Sequence, residues 1–151
     1  MIDTTLRFSK IRNVKSPYRA HPTDAGIDFF VPDDFPKTEI HPGDSILIPG
    51  GIKVKIPAGH ALIFFNKSGV AAKKSLVLGS CVVDQDYQGE LIFNLHNIGK
   101  TFQYISPGDK IVQGILLPVF YTMPEEVKNE DELYDKVTDR GSGGFGSSGE
   151  K

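Results

Sequence analysis

The segment Cys81–Glu90 carries the side chains of this sequence that are best suited to chemistry. Asp84 supplies a carboxylate, a second acid follows two residues later, and Tyr87 supplies a flat aromatic ring. Apolar runs at 76–78 and 91–93 flank the segment and predict two strands that hold it as a hairpin loop. A carboxylate can activate water and an aromatic face can pack on a nucleotide. A surface hairpin with turn-forming acids explains these residues equally well, so the segment alone does not decide the function.

A second segment, Asn66–Gly69, places a cation and a hydroxyl at the start of a predicted helix over 69–74. Ser68 is the predicted N-cap, because its side-chain oxygen can accept from the free amides of the first turn. Those amides and the helix dipole favour an anion, so Lys67 and Ser68 could bind phosphate. An ordinary capped helix with a solvated lysine is the alternative and, for this segment alone, the better supported one.

The glycine-rich end of the chain predicts a further anion site. Arg140 precedes a run of glycine and serine through Gly149, whose backbone amides can converge on a phosphate that the guanidinium clamps. The run also matches G-x-G-x-x-G. We reject a dinucleotide site because no apolar strand precedes the run and no helix can follow it.

The sequence disfavours a structural zinc site and a reactive thiol but leaves Mg²⁺ open. The four histidines lack metal-ligand spacing and only one cysteine is present, so a structural zinc site is not expected. The carboxylates of Asp28, Asp84 and Asp86 leave room for Mg²⁺, which takes few protein ligands beside substrate phosphates and water. No base or cation adjoins Cys81, which predicts a structural thiol rather than a nucleophile.

Short apolar runs separated by turn residues must position these groups, and helical periodicity is scarce. The pattern predicts an all-β barrel or sandwich, and its continuous run at 60–65 indicates a strand buried on both faces. Strands are expected at 6–8, 26–31, 45–48, 52–56, 60–65 and 111–120.

Length and charge limit the organisation and the partners. A chain of 151 residues predicts one domain, with a core over 1–123 and an acid-rich linker and mobile arm over 124–151. The formal net charge of −2 argues against nucleic-acid binding, and no apolar run approaches the ~20 residues that span a bilayer. The single cysteine suits a reducing compartment. We expect a soluble cytoplasmic protein, with the nucleus as the alternative for a eukaryotic or viral source.

Five segments, in order, resemble the motifs of the trimeric dUTPase family (deoxyuridine 5'-triphosphate nucleotidohydrolases). The resemblance runs from about Asp24 to the end of the chain, and the order and spacing of the segments make it specific. The segments are Ala25–Asp28, Asn66–Ala71, Val82–Gly89, Gly108–Gln113 and Arg140–Gly149.

The resemblance implies a jelly-roll-like β-barrel that forms a homotrimer with three active sites at subunit interfaces. It implies Mg²⁺-assisted hydrolysis of dUTP to dUMP and pyrophosphate, which limits the incorporation of uracil into DNA. Asp84 is then the general base, Tyr87 packs on the deoxyribose and excludes ribonucleotides, and Asp28 supports Mg²⁺ through water or links to the arm. The other implied substrate-binding residues are Lys67, Ser68, Gly69 and Gln113 at the phosphates, Gly79, Cys81 and Val82 at the base, and Arg140, Gly144, Phe145, Gly146 and Ser147 in a closing arm.

Departures from the family pattern keep other functions open. Lys67 stands where arginine is usual, and Cys81 where glycine is usual, which leaves a pyrophosphatase for another deoxypyrimidine triphosphate as an alternative. A related dCTP deaminase is disfavoured because Asn94 occupies the position of its catalytic glutamate. A non-catalytic binder that uses nucleotide only for regulation is the alternative from a different class.

Overall fold

The computed structural model describes residues 4–144, and it confirms the predicted all-β fold. Within residues 4–144, eleven strands and one α-helix are followed by one 3-10 helix over Glu130–Glu132. The strands are β1 (Arg7–Lys10), β2 (Ile27–Phe30), β3 (Thr38–Ile40), β4 (Ser45–Pro49), β5 (Ile52–Lys55), β6 (His60–Asn66), β7 (Leu76–Leu78), β8 (Val82–Val83), β9 (Ile92–Asn97), β10 (Gln103–Ile105) and β11 (Lys110–Pro118), and α1 is Ser68–Lys74.

The strands pair antiparallel in four sheets with a jelly-roll-like arrangement. One sheet has the order β2-β11-β6-β8 and a second the order β4-β9-β7, while β1 pairs with β5 and β3 with β10. The strands described here do not join into one closed sheet, so the word barrel applies only loosely. The long neighbouring strands β11 and β6 form a framework that carries Gln113 on β11 and leads directly into Lys67 at the end of β6.

Three phenylalanines join the two larger sheets across the core. Phe29 on β2, Phe64 on β6 and Phe93 on β9 are all buried, and their ring centroids lie 5.1 to 6.0 Å apart in edge-to-face pairs. Such pairs add specific packing to the burial of large apolar surfaces. The core thereby fixes β6 and β9 relative to each other, and the loop Cys81–Glu90 runs between them.

The N-terminus of the helix differs from the prediction. Ser68 is the first helical residue and not the N-cap; Lys67 is the N-cap, with an extended backbone and no side-chain capping bond. The helix begins there because β6 remains paired through Asn66 and because the Lys67 ammonium contacts Asp28, which keeps Lys67 extended.

The described part of the C-terminal segment forms a unit separate from the unit that ends at Phe120. Within it, tight turns place the Gly141 amide on the Thr138 carbonyl at 3.0 Å and the Gly143 amide on the Arg140 carbonyl at 3.0 Å. The division falls near the predicted boundary at 123/124, although a single domain that includes the arm remains a prediction. No helix in residues 4–144 is long and apolar enough to cross a membrane.

Candidate active site

The predicted catalytic residues line a cleft of about 230 Å³ that we call the hairpin cleft. Asp84 and Tyr87 are both exposed there. The Tyr87 amide donates to the Asp84 carbonyl at 3.2 Å, so one tight turn joins the two residues. The complete lining is Val82, Val83, Asp84, Tyr87, Leu91 and Ile92. A carboxylate, an aromatic ring and apolar walls thus surround one opening.

Strand pairing fixes the loop before Asp84. Val83 pairs with Leu62 of β6, and the next residues continue along that strand, where the Gln85 side chain accepts from the Gly59 amide at 2.7 Å. Asp84 is therefore placed beside the first residues of β6 by backbone geometry. An exposed carboxylate on a fixed backbone is well suited to orienting a water molecule.

The ring of Tyr87 is held in place by its own loop. Its hydroxyl donates to the Glu90 carbonyl at 2.8 Å. A Cβ at Gly89 would lie 2.3 Å from the Tyr87 hydroxyl oxygen, so only glycine lets the ring fold over this position. Tyr87 as a whole is 43% exposed, so it is accessible to a ligand.

The predicted base-reading residues lie where the chain passes from β7 to β8. The Gly79 amide donates to the Asn94 carbonyl at 2.9 Å, and the Cys81 carbonyl accepts from the Phe64 amide at 2.7 Å. Cys81 is half-buried and Val82 is 65% exposed. The Gly79 amide and the Cys81 carbonyl are thus already hydrogen-bonded to neighbouring strands. Base recognition would therefore need other backbone groups of this segment.

A polar pair that the sequence did not reveal borders Gly79. The Asn94 Oδ1 and His96 Nε2 atoms lie 2.8 Å apart on the outer face of β9. A Cβ at Gly79 would be 2.0 Å from the Asn94 oxygen and 2.3 Å from the His96 nitrogen. Glycine is therefore required at position 79 by the close approach of these two side chains.

Two of the predicted phosphate-binding residues, Lys67 and Gln113, line a second opening of about 370 Å³ that we call the lysine cleft. Gln113 donates to the Asn66 carbonyl at 2.9 Å, while Ser68 and Gly69 are exposed at the start of α1. The lining is Ala20, His21, Asp24, Ala25, Gly26, Asp28, Lys67, Lys110, Gln113 and Ile115.

Two ammonium groups meet one buried carboxylate in the lysine cleft. Asp28 pairs with Lys67 through Oδ1 and with Lys110 through Oδ2, the latter at 2.8 Å. Burial raises the pKa of Asp28, but the hydrogen bonds from Lys110 and Lys67 outweigh it and leave the pKa below its usual value. The same contact with Asp28 raises the pKa of Lys110. The three groups together carry one net positive charge, which suits an anion.

Lys110 received no role from sequence reasoning, although it lies within the segment Gly108–Gln113. Its ammonium group lies 5.1 Å from the centroid of the Tyr18 ring and pairs with Asp28, which is 82 positions away in sequence. The pairing of β11 with β2 creates the contact, since Lys110 lies opposite Phe30. The sequence shows Lys110 within a segment that resembles a family motif, but it does not show that Asp28 is its partner.

The hairpin cleft and the lysine cleft of one chain lie at opposite ends of β6. Asp84 follows the pair Val83–Leu62 toward the start of the strand, while Lys67 directly follows its last residue. Seven residues of extended chain span about 20 Å. One chain therefore does not bring Asp84 and Lys67 onto the same phosphate.

The remaining predicted site residues lie in the C-terminal segment. Arg140 donates through Nε to the Gly143 carbonyl at 3.0 Å, and Gly144 is exposed. Phe145, Gly146 and Ser147 lie outside the described residues.

Direct binding of Mg²⁺ by Asp28 is disfavoured in the described residues, and its predicted role through water stays a prediction. Both of its oxygens already accept from ammonium groups, whose charge opposes a cation at the same place. No group of three or more histidine, cysteine, aspartate or glutamate side chains in residues 4–144 could hold a metal ion. Any Mg²⁺ would have to be held mainly by substrate phosphates and water.

Known proteins resemble this chain over most of its length. A family model described as dUTPase matches residues 12–149. The deoxyuridine 5'-triphosphate nucleotidohydrolase of Pseudomonas fluorescens (strain SBW25) is 38% identical over 138 residues, which cover 88% of this chain and 86% of that protein. The mitochondrial enzyme of the same name from Homo sapiens is 34% identical over 145 residues, which cover 95% of this chain and 54% of that protein.

Solved structures share the fold. The Staphylococcus bacteriophage 80alpha dUTPase with dUPNHPP has a TM-score of 0.84 and 26% identity, and the match covers 97% of this chain and 99% of that one. A mutant dUTPase from phage phi11 of S. aureus, described with a structural Mg(II) ion, has a TM-score of 0.74 at 24% identity over 83% of this chain and 98% of that one; this likeness shows the fold alone. The family model and the curated relatives agree on one assignment: this chain belongs to the dUTPase family.

Proposed function

We propose that this protein hydrolyses dUTP to dUMP and pyrophosphate. The observation that carries the proposal is the tight turn that sets Asp84 and Tyr87 beside one cleft, in a chain that belongs to the dUTPase family. Relatives named deoxyuridine 5'-triphosphate nucleotidohydrolase support this substrate. Removing dUTP would limit the incorporation of uracil into DNA.

Asp84 is the proposed general base. Its carboxylate takes a proton from water, and the water oxygen forms a bond to the α-phosphorus. The bond from that phosphorus to the bridging oxygen breaks, and pyrophosphate leaves with the electron pair. Because strand pairing fixes the backbone at Val82 and Val83, directly before Asp84, the carboxylate needs little reorganisation during this step.

Tyr87 is the proposed sugar contact. Its ring is held from one side by Gly89 and by the Glu90 carbonyl, so its open face can pack on a deoxyribose without room for a 2′-hydroxyl. The base would bind at the segment containing Gly79, Cys81 and Val82, which forms the approach to the same cleft.

The phosphates are proposed to bind in the lysine cleft of a neighbouring subunit. Lys67 and Gln113 in the cleft supply an ammonium group and a side-chain amide. Ser68 and Gly69, which follow Lys67 and are exposed, supply a hydroxyl and a backbone amide. Because the two clefts of one chain are about 20 Å apart, a complete site needs the hairpin cleft of one copy and the lysine cleft of another. This supports a homotrimer with shared sites.

An exposed apolar face supports the same assembly. On the outer side of β6, β8 and β11, Phe65 is 40% exposed, Leu117 38% and Val82 65%, and Ile63 lies opposite Ile115 between them. Adjacent apolar side chains of this size favour burial against another chain. We propose that this face packs between subunits.

The glycine-rich arm is proposed to close over bound substrate. Arg140 would contact the distal phosphates and Phe145 would cover the base, with Gly144, Gly146 and Ser147 between and after them. Closure would exclude water and strengthen the electrostatic contacts to the triphosphate. Mg²⁺ is the proposed cofactor, held chiefly by the triphosphate, and would neutralise phosphate charge. A cytoplasmic location rests on the single cysteine and stays a prediction.

Replacing the proposed base tests this function. Asp84→Asn keeps the size of the side chain but removes the proton acceptor, so pyrophosphate release from dUTP should fall by about 10²-fold or more. Asp86→Asn is the matched control, because it removes a nearby exposed acid and should leave most activity. Equal activity in wild type and Asp84→Asn would contradict the proposed base. Undetectable hydrolysis by the wild type, with nucleotide still bound, would favour a non-catalytic binder.

A pyrophosphatase for another deoxypyrimidine triphosphate is the second candidate. It is favoured by the half-buried Cys81 in the base segment, where the family usually has glycine. If the wild type is specific for dUTP, Cys81→Gly should not change that specificity. If the wild type prefers dCTP and Cys81→Gly shifts it toward dUTP, the second candidate is correct.

A further inference from the structure

Arg12 and Glu90 form an ion pair at the end of the loop Cys81–Glu90, and neither has a role in the proposed reaction. Arg12 Nε lies 2.7 Å from Glu90 Oε1, and Nη2 lies 3.4 Å from Oε2. Glu90 Oε1 also accepts from the Gly51 amide at 2.9 Å. Three donors from the first half of the chain thus hold one carboxylate, whose side chain is only 18% exposed.

Backbone hydrogen bonds fix the surroundings of this ion pair. The Ile11 amide donates to the Gly51 carbonyl at 2.8 Å, and the Leu91 amide donates to the Ile52 carbonyl at 2.8 Å. Ile11 and Leu91, which adjoin Arg12 and Glu90 in sequence, are therefore held by the β1–β5 pair and by the turn that precedes β5. A side chain bound to this framework has a defined position.

The contact continues from Glu90 to the aromatic ring. The Tyr87 hydroxyl donates to the backbone carbonyl of Glu90 itself at 2.8 Å, and the ring lies against Gly89. Any movement of Glu90 therefore moves the acceptor that holds the ring. Hydrogen bonds from Arg12 lower the pKa of Glu90, so the carboxylate stays charged at neutral pH.

We propose that Arg12 and Glu90 are positioning residues that set the place of the Tyr87 ring and thereby the discrimination between deoxyribonucleotides and ribonucleotides. The inference rests on the proposed role of Tyr87 at the sugar. A ring that excludes a 2′-hydroxyl must be fixed to within a fraction of the size of that group. Backbone hydrogen bonds hold Leu91 at the far end of the loop, and the ion pair adds a side-chain support at Glu90 itself.

The test compares dUTP with UTP. The kcat/KM ratio for the two substrates is measured in the wild type, Glu90→Gln and Arg12→Gln. We expect the ratio to fall by about fivefold in each variant, the order that corresponds to loss of a partly exposed ion pair. Arg12→Lys, which keeps the charge without the fork, should fall between Arg12→Gln and the wild type. The double variant should be no worse than the single ones, because both remove the same contact.

Asp34→Asn is the matched control. Asp34 binds Arg12 Nη1 at 3.0 Å, whereas Glu90 binds Nε and Nη2, so the removal of Asp34 perturbs the same guanidinium without removing the bonds to Glu90 and should leave the ratio unchanged. Unfolding midpoints of all variants show whether a lower ratio merely follows from lower stability.

Three further results would overturn the inference in distinguishable ways. A wild-type ratio in both Glu90→Gln and Arg12→Gln, while Tyr87→Ala loses discrimination, would show that the ion pair does not position the ring. An unchanged ratio in Tyr87→Ala would refute the sugar role of Tyr87 and the positioning role with it. Failure of the wild type to hydrolyse dUTP would instead refute the proposed function.

Discussion

Replacing Asp28 by asparagine should destabilise the folded chain through the charges that remain. In the wild type the carboxylate lies between the ammonium groups of Lys67 and Lys110. Asparagine has nearly the same size but leaves those two positive charges without a counterion. Loss of one partner of a fully buried ion pair costs about 3–5 kcal/mol.

Solvent access reduces this cost. The side chain of Lys67 is 23% exposed and that of Lys110 is 34% exposed, so water screens part of their repulsion. We therefore expect the free energy of unfolding of Asp28→Asn to be lower than that of the wild type by about 2 kcal/mol at pH 7. For a chain of this length the midpoint of thermal unfolding should fall by about 4–8 °C.

The difference should depend on pH. The folded-state pKa of Asp28 lies below its usual value. The stabilisation by the ionised carboxylate is therefore complete above the unfolded-state pKa of about 4 and is lost as the pH falls through the folded-state pKa. Denaturant unfolding of both proteins at pH 7 and near pH 3, at one fixed protein concentration, measures the change. Asp33→Asn removes an exposed acid as a control and should shift the free energy by less than about 0.5 kcal/mol. Equal stability of wild type and Asp28→Asn at pH 7, or a difference that persists undiminished at pH 3, would refute the reasoning.

Three other predictions address the core, the base segment and the assembly. Phe93→Ala should lower the free energy of unfolding by about 3–5 kcal/mol in a denaturant titration, because its ring fills the space between the sheets, whereas Phe120→Ala, at an exposed position, should change it little. Gly79→Ala should displace the Asn94–His96 pair and raise KM for dUTP in steady-state assays, and an unchanged KM would remove Gly79 from the base site. Leu117→Arg should lower the mass measured by light scattering, and an unchanged mass would place the subunit interface elsewhere.

Sequence patterns predicted the longer strands because their apolar residues must face the core. Alternation in 52–56 and the continuous run in 60–65 correspond to β5 and β6. Strands β3, β8 and β10 were missed because two or three residues are too few to show a period. Their conformation is set by the partner strand, as when Tyr104 pairs with Glu39 across 65 positions of sequence.

The residue types of the candidate site can be read from the sequence, but their contacts cannot. Motif order identified the segments that contain Asp84 and Lys67, since their residue types and spacing are local properties. The pairing of Asp28 with Lys110 and the ion pair of Arg12 with Glu90 depend on strand register between distant segments. The distance between the two clefts likewise follows from the length of β6. The sequence of this strand does not indicate whether the proposed site is formed by one chain or by two.

Substrate preference tests the central claim most directly. Pyrophosphate release by the purified protein is measured with Mg²⁺ and with dUTP, dCTP, dTTP or UTP at equal concentrations. A dUTPase with Tyr87 against the sugar should hydrolyse dUTP far faster than the other three. Preferential hydrolysis of dCTP, or no hydrolysis of any of the four, would contradict the account.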